Sequence, residues 1–170
     1  VRVGVGSSIV PTLMIKFGAA LRARVGLWPA YEMRNRVLFG VGGLRVRLIE
    51  RHEVARLRAA LGSPPSATVC TIIPTYRRPE LLVRAIRSAL AQTFRDQVVV
   101  VVDDGGGGLP LLPDDPRLHV VSLSRNTQRC GVARNVGIRL TQSRFIAFLD
   151  DDNEWLPEHL SLAIEALESG

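Results

Sequence analysis

The sequence predicts an α/β fold, a mainly parallel sheet sandwiched between helices. Three observations carry that expectation. From Val69 onward, short runs rich in β-branched residues alternate with stretches of helical period. The runs are continuously apolar, as Val98–Val102 shows with five successive valines, and continuous apolarity means that both faces of a strand are covered. The runs also end in Asp, Pro and Gly, the residues that suit the turns where strands give way to loops. Ligands of such sheets bind beyond the C-terminal strand ends, and the acidic clusters of this chain fall there.

The first strand is expected at Val69–Ile73, closed by Pro74-Thr75-Tyr76. Pro79–Ala91 follows as a helix. Leu82, Ala85, Ile86, Ala89 and Leu90 recur at helical spacing, and Pro79 sits in the first turn, where its missing N–H is harmless. The second strand is Gln97–Val102, leading into Asp103-Asp104 and four glycines. Leu118–Leu123 reads as a third strand, Gly131–Thr141 as a helix, Phe145–Leu149 as a fourth strand and Asp150–Asn153 as a polar turn. A last helix is expected at Pro157–Glu168, with Leu160, Ala163, Ile164 and Leu167 on one face. Upstream, residues 44–61 read as a helix with Leu44, Leu48, Val54, Leu57 and Leu61 along its apolar side. Residues 1–43 are glycine-rich, basic and without clear period, and receive no assignment. Gly62-Ser63-Pro64-Pro65-Ser66 breaks the pattern. The expected organisation is therefore a basic N-terminal segment over 1–61, a linker over 62–67 and the α/β domain over 68–170.

With 170 residues, 46% hydrophobic and 22% charged, the composition is globular. Aromatics make up 5%, which argues against an aromatic-lined nucleic-acid platform, and no nucleic-acid partner is expected. The net charge of +6 is unevenly spread: up to Gly62 there are 11 Lys/Arg against 3 Asp/Glu, whereas the remainder has 11 against 13. The basic segment fits either a solvated helix face or a peripheral contact with anionic lipid. The two cysteines, Cys70 and Cys130, lack metal-ligand or disulfide spacing. Cys70 reads as core, and a reducing, cytoplasmic compartment is expected, at or near the inner membrane face. No apolar run reaches the length of a membrane span. Ser8–Met14 is too short and poorly flanked to make a strong leader signal.

The sharpest chemical feature is Asp150-Asp151-Asp152, set directly after an apolar strand. Clustered carboxylates repel unless a cation or solvent relieves them, and their hard oxygens suit Mg²⁺ or Mn²⁺ alongside substrate phosphate. Asp150 and Asp152 have the Asp-x-Asp spacing for such a metal. An acidic turn that merely opens the next helix is the alternative. Asp103 and Asp104 end the valine strand, where a carboxylate can accept from a nucleobase imide or simply serve a turn. Arg134 can reach a diphosphate or lie on a helix surface. Arg77 and Arg78 share the edge of the first strand, and either can assist. His52, His119 and His159 show no partner spacing.

Taken together, Thr71 through Pro79, Leu90-Ala91-Gln92-Thr93-Phe94, Val101 through Gly105, Gly131 through Gly137, Phe145 through Asp152 and Trp155-Leu156-Pro157 resemble the family-2 glycosyltransferases of the GT-A, Rossmann-like fold. The resemblance covers about residues 68–170. It implies a nucleotide-diphosphate sugar donor (UDP-, GDP- or dTDP-linked), an inverting transfer to an acceptor it does not name, and a Mg²⁺ or Mn²⁺ cofactor. Pro74, Thr75, Tyr76 and Asp104 would line the nucleobase pocket, with Asp103 beside it. Arg134 would sit near the nucleotide. Asp150 and Asp152 would hold the metal, with Asp150 and Asp151 also touching the nucleotide. Arg77, Gly105-Gly106 and Ser143 depart from the family's frequent residues. Family members continue into an acceptor-binding half that supplies the general base. The sequence ends at Gly170, so that half is expected to be missing and no base is nominated. The resemblance leaves two readings, a metal-dependent transferase and a non-catalytic nucleotide-sugar-binding remnant. The basic segment keeps a third, a membrane- or partner-docking module.

Overall fold

A computed structural model describes residues 27–169. The elements are α1 (Leu27–Leu61), β1 (Val69–Thr75), α2 (Pro79–Leu90), β2 (Gln97–Asp103), β3 (Leu118–Ser122), α3 (Cys130–Leu140), β4 (Phe145–Phe148) and α4 (His159–Glu168). The stretch Ser8–Met14 lies outside the described residues.

The four strands form one sheet in the order β3-β2-β1-β4, and every pairing is parallel. β1 and β2 are buried along their whole length, as their unbroken apolarity requires. On one face, Ile73, Val99 and Val101 pack with Leu82, Ala85, Ile86 and Ala89 of α2. Leu160 and Ile164 of α4 pack beside them on Val69, Phe145 and Ala147. The opposite face carries α3, whose Gly137 approaches Ile72 so closely that a Cβ there would lie 2.8 Å from the Ile72 Cγ2. Helices therefore cover both faces, giving the expected α/β sandwich.

Several differences from the sequence-based expectations have local causes. β1 runs on through Pro74 to Thr75. The Ile72 carbonyl accepts from Leu149 on the β4 side and the Thr75 carbonyl from Asp104 on the β2 side. By alternation, Pro74 turns its missing N–H toward β4, which has already ended, so no ladder bond is lost. The last helix starts at His159, after a turn that includes Pro157. Its Leu167 is exposed while Leu160 and Ile164 are buried.

The larger difference is α1, which begins at Leu27 rather than at residue 44. Its backbone passes through Gly40, Gly42 and Gly43, each about 1 kcal/mol less favourable than Ala, and these glycines mask a helical period. Pro29 falls in the first turn, where proline is tolerated. The apolar side also differs: Val54 and Leu57 are buried, but Leu44 and Leu48 are 64% and 66% exposed. The chain divides into two compact units after Leu48, inside α1. The unit holding the sheet starts at Ile49, so residues 62–67 connect α1 to β1 within it.

Candidate functional site

Because β1, β2 and β4 are parallel, their C-terminal ends emerge at one edge of the sheet. β1 delivers Pro74, Thr75 and Tyr76, β2 delivers Asp103 and Asp104, and β4 leads into Asp150, Asp151 and Asp152. The chain order reverses around β1, with β2 and β3 on one side and β4 on the other. Such a reversal parts the loops and leaves a crevice. A cleft of about 440 Å³ occupies it. Pro74, Thr75, Tyr76 and Arg78 line it from β1 and the following turn, and Asp104 and Asp151 from the strand ends. Asn126, Gln128 and Arg129 line it from the loop before α3, and Cys130 and Ala133 from the first turn of α3.

The aspartate triplet divides. Asp151 is buried in the cleft wall, where its Oδ2 accepts from the Thr75 hydroxyl at 2.7 Å and its Oδ1 from Arg78 Nη1 at 3.2 Å. The same nitrogen donates to Asp152 Oδ2 at 3.0 Å. Asp151 first, and Asp152 with it, hold the Arg78 guanidinium even more firmly protonated than usual. Asp150 pairs with Arg134 of α3, whose guanidinium also lies over the Phe148 ring at 5.5 Å. Arg78 and Arg134 thus relieve the repulsion that crowded carboxylates would suffer. Among the described residues, no three His, Cys, Asp or Glu side chains converge on a metal position.

Asp104 and Asp103 part company as well. Asp104 is buried at the cleft and its Oδ1 accepts from the Thr127 N–H at 2.9 Å and hydroxyl at 2.8 Å. Asp103 points elsewhere: its carboxylate accepts from the Gly106 and Gly107 N–H groups at 2.9 and 3.1 Å and ties the glycine turn. Its side chain therefore does the work of a turn residue, and Asp103 does not line the cleft. Arg77 adopts φ 54 and sits over the Tyr76 ring at 5.2 Å. Cys70 is fully buried in the core, where burial pushes its thiol up to about 11 despite the opposing hydrogen bond with Thr141. Cys130 is exposed. His159 stacks on Trp155 at 4.4 Å.

The loop 124–129 carries cleft residues that the sequence reading passed over. Thr127 holds Asp104, and Asn126, Gln128 and Arg129 contribute wall. A polar, arginine-rich loop between a strand and a helix offers no period to read. Its one available signal is its place before a helix at the ligand edge of a parallel sheet.

Residues 70–170 match the family model described as glycosyl transferase family 2. The chain belongs to that family. It is 38% identical over 114 residues to the succinoglycan biosynthesis protein ExoO of Rhizobium meliloti, a match covering 65% of this chain and 32% of that protein. It is 31% identical over 105 residues to the GalNAc(5)-diNAcBac-PP-undecaprenol beta-1,3-glucosyltransferase of Campylobacter jejuni, covering 58% of this chain and 34% of that protein. Among solved structures, it is similar to S. aureus TarS 1–349 in complex with UDP-GlcNAc, at 25% identity and a TM-score of 0.53. That likeness covers 60% of this chain and 31% of TarS 1–349. The chain spans about a third of the length of the curated relatives it matches.

For this family-2 chain the donor set is chemically compatible with a hard divalent cation. Mg²⁺ is commonly held by one or two carboxylates, with phosphate and water oxygens completing the shell. Asp150 and Asp152 are 48% and 49% exposed in their side chains, and an exposed contact such as that of Asp152 with Arg78 is worth only about 0–1 kcal/mol. Exchange of arginine for a metal ion is therefore inexpensive at Asp152. Arg134 also keeps its Nε buried with no hydrogen-bond partner among the described residues, a donor that an anion would satisfy. No helix of the described residues is long and apolar enough to cross a membrane.

Proposed function

We propose that the cleft binds a nucleotide-diphosphate sugar and presents it for inverting transfer to an acceptor hydroxyl. The observation that carries this reading is the meeting of Asp104, Asp151 and the Pro74–Tyr76 turn in one cleft at the sheet's switch point. The UDP-GlcNAc bound by the similar TarS structure supports a nucleotide-sugar ligand. Pro74, Thr75 and Tyr76 pack along the nucleobase, with the Asp104 carboxylate, oriented by Thr127, accepting from it. Arg78 and Arg134 supply positive charge for the diphosphate, a planar guanidinium being suited to phosphate oxygens. Asp150 and Asp152 would hold Mg²⁺ or Mn²⁺. Such an ion would supply positive charge against the leaving diphosphate. The acceptor oxygen bonds to the anomeric carbon as the bond from that carbon to the diphosphate oxygen breaks, and a general base takes the hydroxyl proton.

Calorimetry with UDP, GDP and dTDP, with and without Mn²⁺, tests the binding reading. Asp104→Ala and Asp152→Ala are each expected to weaken the preferred nucleotide by ~10-fold or more, with Asp152→Ala also removing the Mn²⁺ dependence. Heats for Asp152→Ala identical to wild type with Mn²⁺ would refute the metal assignment. Donor turnover in the presence of acceptor separates transfer from binding alone.

A further inference from the structure

Two glutamates of α1 are buried charges that the donor cleft does not use. Glu50 and Glu53 are each only 2% exposed. A buried carboxylate is tolerated when it is paired and hydrogen-bonded, and both are. Glu50 Oε1 accepts from Asn135 Nδ2 at 2.7 Å, and Oε2 faces Arg139 Nη2 at 3.1 Å, so this carboxylate grips α3. Glu53 grips the loop instead. Its Oε2 accepts from the Ser124 N–H at 3.2 Å and from Arg56 Nη2 at 2.7 Å, and its Oε1 accepts from the Ser124 hydroxyl. Arg56 reaches past it to the Ser122 carbonyl at 2.6 Å.

Ser124 is where the cleft loop begins. Beyond it, the loop backbone at Arg125 and Asn126 runs against Gly105, where an added Cβ would lie 2.3 Å from the Arg125 carbonyl carbon. Thr127 then meets Asp104, and Asn126, Gln128 and Arg129 form wall. Gln128 adopts φ 57, a conformation that a non-glycine residue keeps only when its surroundings impose it. The loop is held at its start by Glu53 and in its middle by Asp104 and Gly105.

The geometry points to Glu53 as a positioning residue for the donor cleft, acting through Ser124 on the loop that orients Asp104. Helix α1 is then a brace for the cleft wall, through a contact made outside the β-α core. This inference rests on the nucleotide reading of the cleft. Glu53 acts without touching the ligand, through the Ser124 N–H and hydroxyl.

The test uses the full chain in three variants, Glu53→Gln, Ser124→Ala and Ser124→Thr. Ser124→Ala leaves Glu53 with Arg56 and cuts only the hydroxyl link, so it reports even if Glu53→Gln folds poorly. Two readouts are taken: UDP, GDP and dTDP affinity by calorimetry with Mn²⁺, and amide exchange at Thr127 compared with β1 residues Cys70–Ile73. Loss of one such hydrogen bond is expected to weaken nucleotide binding ~5-fold in Ser124→Ala. Glu53→Gln is expected to lose more, and Ser124→Thr to restore wild-type affinity. Thr127 exchange should quicken while β1 protection holds, which general destabilisation would not produce. Unchanged affinity and unchanged Thr127 exchange in Ser124→Ala would overturn the proposal, as would quickening of β1 and Thr127 in parallel. If wild type binds none of the three nucleotides, the functional reading fails. The exchange data then still decide whether Glu53 braces the loop.

Discussion

Each carboxylate at the C-terminal edge of the sheet is defined by the partner it finds. Asp151 lies in the cleft with Thr75 and Arg78, Asp150 leans on Arg134, and Asp103 closes a glycine turn. Their sequence neighbourhoods barely distinguish them, and the choice is made by residues more than 15 positions away, Asp103 excepted. Glu53 is the clearest case of a partner setting a charge. Burial pushes its carboxyl up, but the Ser124 hydroxyl, Arg56 and the Ser124 N–H more than offset this and leave it below its ordinary value of 4.5. His52 Nδ1, at 3.8 Å, faces the same carboxylate. A lowered folded-state pKa stabilises the fold above the unfolded value, and that contribution is lost as pH falls through the folded value. Urea unfolding at a series of pH values should therefore show wild type losing stability below about pH 4.5. Glu53→Gln, less stable at neutral pH, should have a flatter profile in that window. Parallel profiles would show that the carboxylate is not coupled to folding.

At the scale of elements, hydrophobic period carried the strands and α2 from sequence into structure. All five apolar positions expected in α2, Leu82, Ala85, Ile86, Ala89 and Leu90, are buried. β2 is buried on both faces as its valines imply. Period alone is blind to close approach. Gly137 looks like an ordinary helix glycine, yet it lets α3 settle on Ile72, and Gly105 has φ 69 with backbone against it. Gly105→Ala should destabilise the fold by roughly 1–3 kcal/mol from backbone strain alone, and by more because the obstructing atoms are backbone. Gly137→Ala meets the Ile72 side chain rather than backbone, and its gain in helix propensity offsets part of that clash, so its effect should be smaller. Thermal or urea denaturation checks the order of the two. A Gly137→Ala variant less stable than Gly105→Ala would contradict it.

At the scale of the whole chain, the compact unit of the sheet takes in the C-terminal part of α1 from Ile49 onward. Val54 and Leu57 are buried and Glu50 and Glu53 are paired there. Burying each apolar side chain stabilises by about 1.5–3 kcal/mol, so a chain of residues 62–170 should melt ~10 °C or more below one of residues 49–170. Equal melting temperatures would mean that α1 adds nothing to this unit. The proline-rich stretch at 62–67 invites a domain edge because composition changes there, yet packing continues across it. What the sequence by itself determined was the α/β class, the parallel arrangement of strands and the sheet edge at which the aspartates gather. Those follow from local periodicity and from turn residues, which each segment carries within itself. Only the tertiary structure decided which aspartate enters the cleft, which loop closes it, and that α1 reaches in to hold that loop. Charges and hydrogen bonds choose partners by proximity in space: Ser124 lies 71 residues from Glu53, and Thr75 lies 76 from Asp151.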